Sequence, residues 1–256
     1  QELKCTLFLR SNRGISLTPE GKKLYEHVAI AYEQLQIGEE EIRQNGELEN
    51  GLVSIGASEN ALRLVLLSRL EKFHEQYPHV RLRISNHSTP QAIQALRSDI
   101  VDFAAVTTPL DIKSPLEKIP LASYREILIG GRKYKKLAEH TQKLEDIASL
   151  PFISLDENSS TRELYNSFFL EHGLSFAPDM ETATTDQMLP LITHNLGIGF
   201  YPKKMAELAL TKGDVHQIPL EEKLPLRRIY LVTNGSTAKS TAVRKMIKFI
   251  QEYHKI

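Results

Sequence analysis

The sequence predicts an α/β protein in which a short hairpin and a long helix precede two βα units in series. After residue 51, apolar strand-like runs alternate with amphipathic helical segments, an order typical of parallel strands joined by right-handed crossovers. Before residue 45, apolar residues recur at heptad spacing, as in a helix that packs against another helix. Residues 45–51, rich in Asn and Gly, separate the two patterns and read as a linker.

Composition narrows the functional classes. The 256 residues include 32 Lys and Arg against 32 Asp and Glu, so a basic domain that coats nucleic acid unaided is not expected. One cysteine, Cys5, excludes a disulfide framework within the chain and a Cys-based zinc site, and we interpret it as a buried structural residue. No apolar run approaches the ~20 residues of a membrane span. Because the chain starts at Gln1, we expect an upstream piece, either a signal peptide or a domain.

The first element is a hairpin with a basic tip. Two short apolar runs, residues 7–9 and 15–17, flank a polar turn that carries Arg10 and Arg13 and closes at Gly14. Thr18 and Pro19 then supply an N-cap and a first-turn proline, which together predict the start of a helix.

The helix that follows has a single thin apolar stripe. Its members alternate in spacings of four and three residues: Leu17, Gly21, Leu24, Val28, Ala31, Leu35, Gly38 and Ile42. Such a seam cannot bury itself, so we predict that it pairs with a partner helix, with close approach at Gly and Ala. The alternative is an ordinary amphipathic helix on a core, but the narrow stripe argues against it.

Beyond the linker the predicted strands and helices alternate. The predicted strands are residues 52–57, 80–85, 101–107, 116–122, 126–130, 151–155, 179–183, 197–201, 215–220 and 228–233. The predicted helices are residues 61–77, 90–98, 160–172, 187–194, 203–210 and 239–253, the last with Val243, Ile247 and Ile250 inward. We expect the two βα units to be joined by extended crossings near Ser123 and Leu224. Gly197 and Gly199 indicate close backbone packing.

Polar clusters follow several predicted strands or open predicted helices. They are residues 58–60, 87–89, 107–108, 158–161 and 184–186. Ligands of open α/β sheets sit beyond the carboxyl ends of strands, and helix N-termini offer free N–H groups to anions. Any single hydroxyl is better explained as a helix cap or turn residue, but the set favours a small-ligand cleft between two subdomains.

Catalytic and metal-binding motifs are not found in the sequence. The nine histidines are scattered, and we find no metalloprotease, nucleophile-elbow, Walker or dinucleotide-binding pattern. We therefore expect no catalytic residue, no metal and no cofactor.

Several of these residues resemble one family. The segment Leu7-Phe-Leu-Arg10, Arg13-Gly14, Leu17-Thr18, Gly21 and Leu24 resembles the wing and linker-helix start of LysR-type transcriptional regulators. Landmarks of that family's effector domain are also matched, at residues 51–56, 73–78, 102–106 and 197–202. Lys4, which follows Leu3, stands where that family usually has glycine. The resemblance places the helices that read the major groove before Gln1, so the chain itself is not expected to select an operator.

The resemblance implies an organisation of the chain. Residues 1–17 would be the remnant of a winged helix-turn-helix, and residues 18–50 the linker helix and hinge. Residues 51–256 would be a periplasmic-binding-protein-like (type 2) effector domain, with subdomain I at 51–123 plus 225–256 and subdomain II at 124–224. It also implies homotetramers built from dimers, promoter DNA and RNA polymerase as partners, a cytoplasmic location and no catalysis. The heptad seam would join the two chains of a dimer through Leu17, Leu24, Val28, Ala31, Leu35 and Ile42.

The resemblance also implies site residues. Arg10 and Arg13 on the wing would contact DNA phosphates, which position a protein on DNA without specifying sequence. The effector site would comprise Ser58, Glu59, Thr107, Ser123, Ser159, Thr161, Phe200 and Tyr201. Because the named donors are hydroxyls and helix N-termini, we expect a small, polar, anionic effector.

Two other functions remain in competition with a ligand-responsive regulator. A secreted solute-binding protein could have the same bilobal fold, but it needs neither the heptad helix nor the basic hairpin. An enzyme on this fold would need a reactive residue in the cleft, and the sequence offers no nucleophile–base pair.

Overall fold

The structure is a computed structural model that describes residues 5–11, 14–43 and 51–253. The chain divides into two compact units, Gln1–Gly51 and Leu52–Ile256. Within the described residues no helix is both long enough and apolar enough to cross a membrane.

The first unit consists of a hairpin and a long helix. Strands β1 (Phe8–Ser11) and β2 (Gly14–Leu17) pair antiparallel and lead into α1 (Pro19–Arg43). The Thr18 hydroxyl accepts a hydrogen bond from the Gly21 N–H at 2.9 Å and donates one to the Thr6 carbonyl at 2.7 Å. A Cβ at Gly21 would lie 2.1 Å from the Leu7 carbonyl oxygen, so the helix start requires glycine there. Cys5, expected to be buried, is exposed ahead of β1.

The apolar stripe of α1 is uncovered within the chain. Val28 and Leu35 are 52% and 69% exposed, Leu24 and Ala31 are also exposed, and Leu17 is half-buried. The side chain of Ile42, the last member of the predicted seam, lies outside the described part of the chain. Exposed apolar groups in a row are typical of a surface that another molecule covers.

The second unit contains a five-stranded sheet in the order β4-β3-β5-β12-β6. Its strands are β3 (Leu52–Ala57), β4 (Arg81–Asn86), β5 (Phe103–Thr107), β6 (Leu116–Tyr124) and β12 (Arg227–Asn234). Strand β3 runs parallel to β4 and β5, as the alternation of strands and helices predicts, whereas β12 is antiparallel to β5 and β6. We call this sheet with its helices the first lobe.

The helices of the first lobe cover the sheet with apolar side chains. They are α2 (Glu59–Ala61), α3 (Leu67–Gln76), α4 (Thr89–Arg97) and α9 (Thr241–Glu252). The segment Leu62–Leu66 between α2 and α3 is a π-helix, in which the Leu67 N–H donates to the Leu62 carbonyl. The prediction of one regular helix over 61–77 was wrong here, because a 3.6-residue period does not anticipate the wider turn. In α9, Val243, Met246 and Ile250 are buried and Ile247 is only partly buried.

The rest of the second unit forms what we call the second lobe. Strands β10 (Ile198–Pro202) and β11 (Val215–Ile218) both pair antiparallel with the central β7 (Glu126–Gly131). Strands β8 (Ile153–Leu155) and β9 (Met180–Thr182) pair in parallel. The helices are α5 (Leu144–Ile147), α6 (Ser160–Glu171), α7 (Thr185–Thr193) and α8 (Lys203–Lys212), preceded by a 3₁₀ helix, Arg132–Ala138. The sequence analysis missed α5 and the 3₁₀ helix because both are too short for a clear apolar period.

Glycines allow the strands of the second lobe to pack closely. A Cβ at Gly197 would lie 2.6 Å from the Pro151 carbonyl oxygen, and one at Gly199 would lie 2.9 Å from the Ile153 carbonyl oxygen. These distances confirm the close backbone packing predicted for this pair.

The chain passes between the lobes twice. It leaves the first lobe between β6 and β7, at Arg125, and returns between β11 and β12. Strand β6 extends to Tyr124, two residues further than predicted, so Ser123 lies inside the strand opposite Arg228 rather than in a connection. The first residues after the two passages, Glu126 and Arg227, are both buried.

Candidate functional site

A cavity of about 220 Å³ is lined by residues of both lobes. The first lobe contributes residues at or just after the carboxyl ends of β3, β4 and β5, namely Ser58, Glu59, Asn60, Asn86, His87, Ser88, Thr89, Gln91 and Thr107. The second lobe contributes Leu155, Asp156, Ser159, Thr161, Ala183, Thr184 and Thr185. The lining is therefore rich in hydroxyls and amides, with two carboxylates.

The ends of the parallel strands position the first-lobe wall. The Ser58 N–H donates to the Ala105 carbonyl at 2.9 Å, and the His87 N–H donates to the Ala57 carbonyl at 3.0 Å. These bonds hold the residues that follow β3 and β4 at one edge of the sheet. Helices α4, α6 and α7 begin at residues next to or within the lining, so their N-terminal partial positive charge acts at the cavity.

Several hydroxyls of the lining already accept a hydrogen bond from the protein. Ser58 Oγ accepts from the Ala61 N–H at 3.4 Å, and Ser159 Oγ accepts from the Thr161 N–H at 3.2 Å. Thr161 Oγ1 accepts from Arg227 Nη2 at 2.9 Å. A hydroxyl carries one proton besides its acceptor lone pairs, so each of these groups retains a donor. Ser58 and Ser159 thus serve as helix caps and also line the cavity, which were the two alternatives the sequence left open.

A buried ion pair lies beside these hydroxyls. Arg227 Nη1 is 2.8 Å from Glu126 Oε2, and the two side chains are 1% and 3% exposed. Arg227 Nη2 also donates to Thr107 Oγ1 at 3.2 Å, so the guanidinium joins Thr107 of β5 to Thr161 of α6. The Tyr165 hydroxyl donates to Glu126 Oε2 at 2.5 Å. The pair therefore ties the first strand after each passage to both walls of the cavity.

The phenols around this pair are held in their neutral form. Burial, reinforced by the nearby Glu126 charge, raises the pKa of Tyr165 well above its ordinary range. Burial also raises the pKa of Tyr124, which accepts a hydrogen bond from Asn60 Nδ2, to about 12. Burial lowers the pKa of Arg227, but the attraction of Glu126 outweighs it and leaves the pKa above its ordinary value. At neutral pH the guanidinium is charged and the phenols are hydrogen-bond donors.

The two carboxylates of the lining come from different lobes. Glu59 accepts from Asn86 Nδ2 at 2.9 Å and lies 4.0 Å from Arg63 Nη1, whose other partner is Asp186 Oδ1 at 2.6 Å. Asp156 Oδ1 accepts from the Asn158 N–H at 2.9 Å. Among the residues of the lining, which all lie in the described part of the chain, no Lys or Arg is present.

The predicted site residues fall into two groups. Five of them, Ser58, Glu59, Thr107, Ser159 and Thr161, line the cavity together. Ser123 is exposed on β6 and is absent from the lining. Phe200 is buried, stacks on Tyr165 with ring centroids 4.1 Å apart and lines a small adjoining cavity. Tyr201 is fully buried in the core of the second lobe, because successive strand residues point to opposite faces.

The remaining predictions concern other chemistry. Arg10 has its backbone in β1, but its side chain lies outside the described part of the chain, as does the whole of Arg13. Groups of three or more His, Cys, Asp or Glu that could hold a metal are not found among the described residues.

Several residues at or beside the cavity were not predicted. Asn86 and Asp156 line it, and Glu126 and Arg227 lie beside it, whereas Asn60 was predicted only as a member of the polar cluster 58–60. A signal existed for Glu126 and Arg227, because each is a charged residue at the start of a strand that continues with a run of mainly apolar residues, 127–129 in β7 and 229–232 in β12. Because apolar strand residues of this kind are buried, a charged side chain next to them has to be paired with an opposite charge.

The Arg227–Glu126 pair predicts a large effect on stability. Glu126→Gln keeps the shape of the side chain but leaves the Arg227 charge buried without its partner. We expect the free energy of unfolding to fall by about 3–5 kcal/mol in urea denaturation. The exposed control Glu139→Gln should change it by less than ~0.5 kcal/mol. Equal losses in the two variants would show that the pair is not a principal contributor.

His87 predicts a pH dependence of stability. Burial lowers the pKa of His87 below its ordinary value, so the unfolded chain takes up this proton at a higher pH than the folded protein does. The stability associated with neutral His87 is present above about pH 6.5 and is lost as pH falls below it. We expect His87→Gln to unfold with a flatter pH profile than the parent in this range, and the exposed His140→Gln to keep the parent profile. Two parallel profiles for His87→Gln and the parent would contradict the assignment.

Comparison with known proteins places the chain in a family. The LysR substrate binding domain matches residues 46–255. The HTH-type transcriptional regulator CzcR of Bacillus subtilis (strain 168) is 24% identical over 252 residues, which are 98% of this chain and 84% of that protein.

Two solved structures share the fold. The effector binding domain of QuiR in complex with shikimate superimposes with a TM-score of 0.70 at 20% identity, and the CcmR regulatory domain of Synechocystis PCC6803 in complex with 2-PG superimposes with 0.71 at 15% identity. Each comparison covers 80% of this chain and 98% of the other. With its α/β unit matched over nearly its whole length by the family's effector-binding domain, the chain belongs to the LysR family of transcriptional regulators.

Proposed function

We propose that the cavity between the lobes is the effector site of this regulator and that it takes a small polar metabolite with an anionic group. The observation that carries the proposal is the set of three hydroxyls, Ser58, Ser159 and Thr161, whose protons remain available at helix N-termini. Hydrogen bonds to a charged acceptor are stronger than those to a neutral one, so a carboxylate or a phosphate suits these donors. The small-molecule complexes of QuiR and CcmR support the same kind of site.

Effector binding changes the relation between the lobes in this proposal. Ser58 belongs to the first lobe and Thr161 to the second, and Arg227 already links Thr161 to Thr107. A ligand that bonds to both walls favours the arrangement in which the walls are closest, and shifts the population toward it. The shift is transmitted to DNA through the unit that contains α1.

The organisation of the whole regulator follows the family. We propose an effector domain over 51–256, with subdomain I at 51–123 plus 225–256 and subdomain II at 124–224. Residues 1–17 and 18–50 are the wing and the linker helix, Arg10 and Arg13 contact promoter phosphates, and RNA polymerase is a further partner in the cytoplasm. The uncovered stripe of α1 supports this reading over a secreted solute-binding protein, which has no need of it.

The effector site predicts a loss of affinity in two variants. Thr161→Ala and Ser58→Ala should each weaken effector binding about tenfold or more, because each removes a donor to a charged group. Calorimetry on the chain with shikimate, 2-PG and a panel of anionic metabolites measures the effect. Ser167→Ala, an exposed hydroxyl on α6, is the control and should retain the parent affinity. A ligand whose affinity ignores both cavity substitutions would place the site elsewhere.

The stripe of α1 predicts an assembly defect. Replacing Val28 and Leu35 together by Asp should dissociate the homodimer, because unpaired carboxylates are costly to bury between helices. The molar mass from light scattering should fall toward that of one chain. Lys23→Asp, which adds negative charge at an exposed polar position of α1, should leave the mass unchanged. An unaltered assembly of the double variant would contradict pairing through this stripe.

A further inference from the structure

The charged side chains of the cavity are carboxylates, which disfavour a ligand that is only an anion. Glu59 and Asp156 are its charged lining residues, and neither has a cation of its own. Arg63 is held by Asp186 at 2.6 Å and lies 4.0 Å from Glu59, so one cation serves two carboxylates. Arg227 is balanced by Glu126. A simple dianion would therefore enter a site of net negative side-chain charge.

The lining also contains oxygen acceptors that receive no hydrogen bond from the described residues. Asp156 Oδ1 is used by the Asn158 N–H, and its second oxygen accepts no hydrogen bond from the described residues. Asn60 is buried and lines the cavity, and its Oδ1 has no hydrogen-bond partner among the described residues. A buried acceptor of this kind is destabilising until a donor reaches it. Glu59, Asn60 and Asp156 together call for a ligand group with several N–H donors.

An ammonium group has this chemistry. It carries a positive charge and three N–H donors, and no acceptor. The donors of the lining, Ser58, Ser159 and Thr161, have the complementary preference for a carboxylate. A cavity of about 220 Å³ has room for a small amino acid.

We propose that the effector is a small standard α-amino acid. Its carboxylate is held by Ser58, Ser159 and Thr161, and its ammonium by Glu59, Asn60 and Asp156. This inference rests on the proposed function of the cavity and adds the second charge of the ligand. Glu59 and Asp156 are then the residues that select an amino acid over the hydroxy acid of the same shape.

The test compares matched ligands that differ only in that group. Calorimetry on the whole chain uses serine with glycerate, aspartate with malate and glutamate with 2-hydroxyglutarate, followed by the other standard amino acids, shikimate and 2-PG. We expect one amino acid to bind and its hydroxy acid to bind at least about tenfold more weakly. Asp156→Asn and Glu59→Gln should each remove most of that preference. Glu157→Gln, an exposed carboxylate beside Asp156 that is absent from the lining, should keep it.

The outcomes separate the two proposals. A hydroxy acid or another anion that binds as tightly as its amino partner, or the failure of every standard amino acid to bind at millimolar concentration, would overturn the ammonium assignment. If such an anion still loses affinity in Thr161→Ala, the cavity remains the effector site. If a bound amino acid is insensitive to Thr161→Ala, Ser58→Ala, Asp156→Asn and Glu59→Gln alike, both the class and the site are wrong. Thermal unfolding of each variant checks that it is folded.

Discussion

The buried Arg227–Glu126 pair is the interaction on which the second unit depends. A charge removed from water is unfavourable by several kcal/mol unless it is paired and its remaining protons are bonded. Here the carboxylate also accepts from Tyr165, and the guanidinium also donates to Thr107 and Thr161, while Arg227 Nε has no hydrogen-bond partner among the described residues. Because the two charged residues follow the two passages of the chain between the lobes, the pair joins the places where the lobes could otherwise move independently. The cavity has defined walls because these groups are fixed behind it.

The pair also determines the character of the site. Arg227 is paired with Glu126 and donates hydrogen bonds to Thr107 and Thr161. Its guanidinium therefore does not contact a ligand in the cavity directly. The hydroxyl of Thr161 lines the cavity and accepts a hydrogen bond from Arg227. Because a hydroxyl that accepts from a cation is polarised, it becomes a better hydrogen-bond donor. The site therefore combines neutral donors, helix N-termini and two carboxylates. The polar patterns in the sequence therefore indicated the hydroxyls and Glu59 but not Asp156 or the ion pair beside the cavity.

Local patterns were sufficient for much of the fold. The change of period at residues 45–51 separates the two units, and the βα alternation predicts the parallel strands β3, β4 and β5. Hydroxyls placed after these strands lie on the cavity, because all parallel strands end at one edge. Tertiary features were beyond reach. Glu126 and Arg227 are 101 residues apart in the chain, and although a charge at the start of each strand indicates that it is paired, no local pattern identifies the two as partners. Phe200 and Tyr201 are adjacent in one strand, so their side chains point to opposite faces. A prediction that places both in the wall of one cavity can therefore be correct for only one of them.

The position of the antiparallel strand β12 determines when the first lobe can be completed during translation. It occupies the sheet between β5 and β6, although it is separated from them in sequence by the whole second lobe. Translation proceeds from the N-terminus, so β5 and β6 are synthesised long before β12, the strand that pairs with both of them. The first lobe is thus completed only at the end of translation, after the second lobe has been synthesised. A chain that stops before Arg227 lacks both the sheet's connecting strand and the cation behind the cavity, and so premature termination yields no partly functional sensor.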